Sequence, residues 1–170
     1  MSFETNIRRE CVRILGKEWV KDDPVTLYTY RCDGLTLYTS PPMGVVFPVT
    51  VQELASVVKL FHQHKISFIA RGAGTGLSGG AIPQDGSVII EMARFKEIHE
   101  IDLLNRTITV GPGVINLRIT EHVHAEGYHY APDPSSQKAC SIGGNVAENS
   151  GGPHTLKYGV TVNHVLGVEM

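Results

Sequence analysis

The chain has 170 residues, with 15 Lys or Arg against 17 Asp or Glu, so its formal charge is −2. Hydrophobic residues make up 42% and charged residues 19%, which supplies a core and excludes a disordered chain. The near-neutral balance without a Lys/Arg cluster predicts no nucleic-acid partner, and no apolar run approaches the ~18 residues of a membrane span. The start shows no secretory signal and the three cysteines form no C-x-x-C pair, so we expect a reducing, cytoplasmic setting.

The N-terminal part predicts one helix followed by irregular segments. Apolar residues from Phe3 to Leu15 recur at helical spacing, and Gly16 is a typical helix stop. Residues 19–48 are rich in proline and glycine, which predicts loops with one short strand at 44–47.

A helix, a strand, a glycine-rich loop and a second strand are predicted next. Thr50 and Glu53 form a capping box before an apolar stripe, so a helix should run to about His64. Residues 66–70 are apolar and rich in β-formers, which predicts a buried strand. The second strand is predicted at 88–92, after the loop.

Two strands at 98–102 and 107–110 are predicted to pair through a tight turn. Gly111 and Gly113 end the second of them, and Asn116 is a candidate cap for a helix that runs to Gly127.

The last part of the chain predicts short elements separated by turns. A strand is expected at 128–130, and Ser141 should cap a helical turn at 142–148. The final apolar stretch, 164–170, is predicted as a strand. Because natural domains usually cover such a strand, we expect this chain to be the front portion of a longer protein.

The first candidate site is the glycine-rich loop that follows the predicted strand at 66–70. Its exposed backbone N–H groups can form a concave anion site, for which a pyrophosphate is the natural ligand. A nicotinamide-binding Rossmann unit needs a helix straight after its glycines, whereas a loop and a strand follow here. A P-loop is excluded because Gly-Lys-Ser/Thr is absent. The loop consists of Arg71, Gly72, Ala73, Gly74, Thr75, Gly76, Leu77, Ser78 and Gly79.

The second candidate site is a group of three stretches rich in Gly, Ser and Asn. Prolines stiffen the first stretch, glycines let a flat ring approach the backbone, and Ser and Asn offer donors and acceptors to its edge. Ordinary turn chemistry explains each glycine group, taken alone, equally well. The stretches comprise Pro132, Asp133, Ser135 and Ser136, then Ser141, Gly143, Gly144 and Asn145, then Asn149, Gly151 and Gly152.

No metal site is predicted from the histidines. His62 and His64, like His122 and His124, lie in predicted helices, where residues i and i+2 do not share a face. No basic partner is evident for Cys140, which is interpreted as a small buried packing residue.

Taken in order, these motifs resemble the PCMH-type FAD-binding domain of the vanillyl-alcohol oxidase flavoproteins. Within that family the chain is most similar to the FAD subunits of glycolate oxidases and to the D-lactate dehydrogenases. The motifs are Pro-Val-Thr-Val-Gln-Glu-Leu at 48–54, the loop at 71–80, Pro-Asp-Pro-Ser-Ser at 132–136, Ser-Ile-Gly-Gly-Asn at 141–145, Asn-Ser-Gly-Gly-Pro at 149–153 and Lys-Tyr-Gly-Val-Thr at 157–161.

The resemblance implies an α+β fold: a first lobe made of a small sheet with flanking helices, and the start of a second lobe. The resemblance covers about residues 28–170. We therefore expect a helix and irregular lead-in at 1–40, then an FAD-binding domain at 41–170 that is incomplete at its C-terminus. FAD would place its pyrophosphate on Arg71 to Gly79 and its flavin ring at 132–136, 143–145 and 149–152, with Tyr158 and Gly159 bracing the last stretch. The substrate-binding cap is missing, so no catalytic residue is assigned.

The implied chemistry is hydride transfer from the α-carbon of a 2-hydroxy acid, such as glycolate or D-lactate, to FAD. An iron–sulfur or other electron-acceptor subunit is an implied partner, and such a partner would bring the protein to the inner face of the membrane. A nucleotide-binding module that is inactive without a separate cap chain is the alternative function. A nicotinamide-binding Rossmann enzyme is the second alternative and the less favoured one.

FAD is expected to be bound non-covalently. Thr75 stands where some members of the family carry a histidine that is attached to the flavin, and a threonine hydroxyl is a poor nucleophile. We also expect the change Gly76→Val to abolish FAD binding, because it would disfavour a positive φ and block the phosphate.

Overall fold

The computed structural model describes Phe3, residues 5–84 and residues 86–169. The chain forms two compact units, which comprise residues 1–95 and 96–170. Both units mix helices and strands, as the predicted α+β class requires.

The first unit is built on a four-stranded sheet. Its strands are β1 (Val20–Lys21), β2 (Gly44–Val46), β3 (Phe68–Arg71) and β4 (Val88–Glu91), in the order β1-β2-β4-β3. Strands β2 and β3 run parallel to β4, whereas β1 is antiparallel to β2. The carboxyl ends of β3 and β4 therefore lie side by side, with Arg71 opposite Glu91.

Two helices cover this sheet with one continuous core. Helix α1 (Thr5–Leu15) buries Ile7, Cys11 and Leu15, and helix α3 (Val51–Gln63) buries an apolar stripe ending at Phe61. The predicted capping box is confirmed, since the Thr50 hydroxyl accepts the Glu53 amide at 3.1 Å. A short helix, α2 (Pro24–Thr29), lies between β1 and β2.

The strand predicted at 66–70 is present as β3, but the prediction that it is buried is wrong. Strand β3 is at the edge of the sheet, and Phe68 is 42% exposed. Strand β4 lies between β2 and β3, and all four of its residues are buried.

The second unit begins with the predicted antiparallel pair, β5 (Ile98–Asp102) and β6 (Thr107–Val110). Helix α4 (Asn116–Val123) follows, with a 3₁₀ turn at His124–Glu126 that is capped by Gly127. Helix α5 (Ile142–Glu148), the short helix α6 (Thr155–Tyr158) and a 3₁₀ turn at Thr161–His164 complete the unit. Its core consists of Val114, Ile119 and Ile142 with their neighbours.

Three predictions in the second unit are wrong. Ile115, not Asn116, is the N-cap of α4, because the Asn116 side chain is buried and donates to the Pro132 carbonyl instead. Residues 128–130 form no strand, and the Tyr130 amide donates to the Thr120 hydroxyl. Residues 165–169 are also without strand structure, and Met170 lies outside the described residues.

Within the described part of the chain, no helix combines the length and the apolarity that crossing a membrane requires.

Candidate functional site

The glycine-rich loop of the first unit is held by a segment far away in sequence. We call residues 30–35 the anchor segment. The Asp33 carboxylate, which is 5% exposed, accepts the amides of Leu35 and Gly79, each at 3.0 Å. The Gly34 amide donates to the Gly76 carbonyl at 3.0 Å. The anchor segment therefore determines the shape of the loop.

Arg71 ties the anchor segment to both ends of the loop. Its side chain is buried, and its Nη1 donates to the carbonyls of Cys32 and Ala81, each at 2.9 Å, and to that of Tyr30 at 3.4 Å. The Nη2 atom lies against Gly74, where an added Cβ would approach it to 2.2 Å. Gly74 also has a φ of 67°, which favours glycine, so the chain needs glycine here on both grounds.

Five consecutive amides of the loop are free in the structure. Within the described residues, the N–H groups of Gly74, Thr75, Gly76, Leu77 and Ser78 donate to no protein acceptor. Successive free N–H groups in such a turn form a concave site for an anion. The Gly79 amide, by contrast, donates to the Asp33 carboxylate. Gly79 therefore belongs to the predicted site as a residue that positions the loop.

A cavity of about 340 Å³ opens beside the start of the loop. Its lining residues include Tyr30, Arg71, Gly72, Ala73 and Glu91. Burial raises the pKa of Glu91 to about 7, although the Ala93 amide, the Arg71 charge and Tyr30 act in the opposite direction. Burial, followed by the charge of Glu91, raises the pKa of Tyr30 to about 12.

In the second unit, two of the predicted stretches lie against each other. His154 donates its amide to the Asp133 carboxylate, and its Nδ1 also contacts that carboxylate. A Cβ on Gly152 would lie 2.0 Å from the Asp133 carbonyl oxygen, so the stretch at 149–152 approaches the backbone at 132–136 as closely as glycine allows. The hydrogen bond from His154 lowers the pKa of Asp133.

The third predicted stretch forms the start of α5. Ser141 is its N-cap, as predicted, and accepts the Gly144 amide at 3.4 Å. The Gly143 amide donates to the Pro112 carbonyl at 2.8 Å. Asn145 is 3% exposed, and its Nδ2 is the buried side-chain polar atom of the described residues that has no hydrogen-bond partner.

The remaining predicted residues have structural contacts of their own. Asn149 ends α5 in a left-handed conformation, and its Oδ1 accepts the Val162 amide at 3.0 Å. The Tyr158 ring packs edge-on against His129, and Gly159 follows as the C-cap of α6. Ser135 and Ser136 lie in the loop at 132–136, and the Ser136 carbonyl accepts the amides of Ala139 and Cys140.

Among the described residues, no group of three or more His, Cys, Asp or Glu is arranged to hold a metal ion. Cys140 is buried, in line with its interpretation as a packing residue, and all three cysteines are free.

Sequence reasoning missed the anchor segment, because residues 19–48 show only irregular turn chemistry. A weak signal was the pair Asp33-Gly34, because both are typical turn residues and an aspartate side chain readily accepts backbone amides. No local pattern tells which distant amide such an aspartate accepts.

A parallel strand that leads into a loop of free amides, with a strand and not a helix as the next element, describes a candidate anion-binding domain of a type other than the Rossmann fold. The Rossmann alternative is wrong, because the next element after the loop is β4. The FAD binding domain family matches residues 42–170, and the chain belongs to this family. The motif-based resemblance and the FAD cofactor of the domain are thereby confirmed.

Curated relatives agree with this assignment. Glycolate oxidase subunit GlcD of Escherichia coli is 50% identical over 141 residues, which are 83% of this chain and 28% of that protein. The subunit of the same name from Bacillus subtilis is 37% identical and covers 97% of this chain and 35% of its own length. D-lactate dehydrogenase of Archaeoglobus fulgidus is 34% identical over 82% of this chain and 32% of its own length. The chain thus spans about a third or less of these relatives.

Solved structures show the same fold. An alkyldihydroxyacetonephosphate synthase superposes with a TM-score of 0.81 at 23% identity and covers 91% of this chain and 31% of its own. A p-cresol methylhydroxylase superposes with a TM-score of 0.76 at 22% identity, covering 85% and 29% of the two chains.

Proposed function

We propose that this chain is the FAD-binding part of a flavin-dependent dehydrogenase or oxidase of 2-hydroxy acids. The observation that carries the proposal is the run of five free amides at 74–78, held in place by buried contacts. When bound, FAD would supply the hydride-accepting centre, while the protein binds and orients it.

The residues present fit this cofactor. The free amides would hold the pyrophosphate, and Gly76 leaves the space above the loop open, since an added Cβ would meet nothing within 4 Å. Arg71 would add its Nη2 as a charged donor beside Gly74. In the second unit, the unpartnered Nδ2 of Asn145 is a donor suited to a carbonyl or ring nitrogen of the flavin.

The substrate class rests on the relatives, whose names specify glycolate, D-lactate and D-2-hydroxyglutarate as substrates. A small 2-hydroxy acid is therefore the proposed substrate, and a cap domain outside this chain would bind it. An electron-acceptor subunit, with an iron–sulfur centre or another redox group, is the proposed partner. We further propose that the protein works in the cytoplasm, at the inner face of the membrane where that partner requires it.

The cofactor half of the proposal is tested by titrating the purified full-length protein with FAD. We expect quenching of flavin fluorescence and a structured visible band that stays with the protein through gel filtration. Elution of all flavin as free cofactor would contradict the proposal.

The substrate half is tested by adding glycolate or D-lactate to the FAD-loaded protein without oxygen. Bleaching of the flavin band by one of them is expected from the full-length protein. Bleaching by NADH with no response to any 2-hydroxy acid would contradict the substrate class.

A further inference from the structure

We propose that Asp33 is a positioning residue for cofactor binding: it holds the loop at 74–79 in its anion-binding shape before the cofactor arrives. The inference rests on the proposed function, since it concerns the phosphate-binding part of the same site. Asp33 lies outside the matched family region, which begins at residue 42.

The contacts of Asp33 bridge the anchor segment and the far end of the loop. One carboxylate oxygen, Oδ1, accepts Leu35 N and so shapes the anchor segment, while Oδ2 accepts Gly79 N and so holds the loop. Both are charge-assisted hydrogen bonds made by a buried carboxylate, and such bonds are stronger than neutral ones.

The neighbouring contacts fasten the same two segments at other points. Gly34 donates to Gly76, and an added Cβ on Gly34 would lie 2.8 Å from the Thr75 carbonyl oxygen. Arg71 holds the carbonyls of Cys32 and Ala81 at the other side of the loop. The five free amides lie between these contacts and have no protein partner of their own. The direction in which their N–H bonds point therefore depends on the contacts that hold the two ends of the loop.

Asp33 has two opposite effects on a bound anion. As a negative charge near the loop it repels phosphate, so its neutralisation alone would strengthen binding. As the acceptor that orients Gly79 it lowers the cost of ordering the loop, so its neutralisation would weaken binding. The sign of the change in affinity separates the two roles.

The experiment compares Asp33→Asn with Asp23→Asn in the full-length protein. Asp23 is a matched control, because its carboxylate also accepts an amide, that of Thr26 at 2.9 Å, and does not contact the loop. We expect Asp33→Asn to weaken FAD and ADP binding by roughly ten- to a hundredfold, and Asp23→Asn to change it less than twofold. Equal or tighter binding by Asp33→Asn would overturn the proposal.

A second measurement does not depend on FAD. Amide hydrogen exchange at Gly79, followed by NMR in the cofactor-free protein, should become about tenfold faster or more in Asp33→Asn and stay unchanged in Asp23→Asn. Unchanged exchange at Gly79 would overturn the role of Asp33. If the wild-type protein binds no FAD, the proposed function falls, while exchange at Gly79 and titration with inorganic pyrophosphate still decide whether Asp33 positions an anion-binding loop.

Discussion

Arg71 and Glu91 are two buried charged side chains opposite each other at the ends of parallel strands. They form no ion pair within 4.0 Å in the described part of the chain, and Arg71 donates its Nη1 to three backbone carbonyls. Glu91 is thus buried without a contacting countercharge, and burial dominates its pKa. The fold keeps this buried carboxyl, with its raised pKa, at the edge of the candidate cofactor site.

Glu91 should make the folded state less stable as the pH rises. Its pKa is raised from 4.5 to about 7, so below pH 4.5 the carboxyl is protonated in both states and contributes nothing. Between those two values the unfolded state ionises first, and the free energy of unfolding falls by on the order of 3 kcal/mol. We expect Glu91→Gln to remove this loss at pH 8 and to leave stability at pH 4 nearly unchanged.

Urea unfolding at pH 4, 6 and 8 measures this difference for wild type and Glu91→Gln. Gln retains an oxygen for the Ala93 amide, which now donates to Glu91 Oε1 at 3.1 Å. Glu18→Gln, which neutralises an exposed carboxylate of the same unit, is the control. If the free energy of unfolding changed with pH in the same way for wild type and Glu91→Gln, the raised pKa of Glu91 would be contradicted.

Gly76 offers a clean test of the free amides. The prediction that Gly76 needs a positive φ is wrong, because its φ is not positive. A Cβ at this position would also have no protein atom within 4 Å. The change should therefore leave folding intact and weaken FAD binding only by occupying the space of the phosphate. We expect at least tenfold weaker FAD binding with a melting temperature close to that of wild type.

Gly167→Val is the matched control for Gly76→Val. Gly167 also has open space at its Cβ and no positive φ, and it belongs to the unit that does not contain the loop. Undiminished FAD affinity in Gly76→Val would place the pyrophosphate elsewhere.

At the scale of the element, the first turn of α5 contains two adjacent glycines, and the packing leaves no room for a side chain at the first of them. A Cβ on Gly143 would lie 2.7 Å from Pro112 Cβ and 3.0 Å from the Pro112 carbonyl oxygen, whereas on Gly144 it would meet only the Ser141 hydroxyl at 3.2 Å. Gly143→Ala should therefore cost roughly 1–3 kcal/mol of stability. Gly144→Ala should be within about 1 kcal/mol of wild type, because alanine also favours the helix.

Thermal and urea unfolding of the two alanine variants measure this contrast directly. The variants serve as each other's controls, since they make the same change one residue apart in one helix. Equal stabilities would mean that the backbone at 112–113 moves away without cost.

Helix α3 carries a capping box whose contribution is also measurable. The Thr50 hydroxyl accepts the Glu53 amide, and the Glu53 carboxylate accepts the amides of Thr50 and Val49. Thr50→Ala should lower the free energy of unfolding by about 1 kcal/mol, and Thr50→Ser should retain most of it. Urea unfolding is the measurement, and an alanine variant as stable as the serine variant would contradict the role of the cap.

At the scale of the whole molecule, we expect FAD to be held without a covalent bond. Thr75 lies in the run of free amides, and a threonine hydroxyl is a poor nucleophile towards the flavin. Acid precipitation of the FAD-loaded full-length protein should therefore release the flavin into the supernatant. Flavin that stays with the polypeptide under denaturing electrophoresis would contradict this, and His129 and His154 would be the first attachment sites to examine.

The sequence by itself determined the elements that local rules govern. The capping box at Thr50, the pair β5–β6 and the cap at Ser141 follow from periodicity and side-chain hydrogen bonds to near neighbours, and the structure has them. The glycine-rich loop was predicted for a related reason, since clustered glycines without a following helix leave backbone amides exposed.

Only the tertiary structure decided which amides of that loop are free. Gly79 and Asp33 are 46 residues apart, and the contacts of Arg71 span up to 41. Likewise, Phe68 is exposed because β3 lies at the sheet edge. Asn116 does not cap its helix because its side chain donates to the Pro132 carbonyl instead. The hydrogen-bond partners of Asp33, Arg71 and Asn116 and the strand neighbours of β3 all come from remote segments, and local sequence patterns carry no information about those choices.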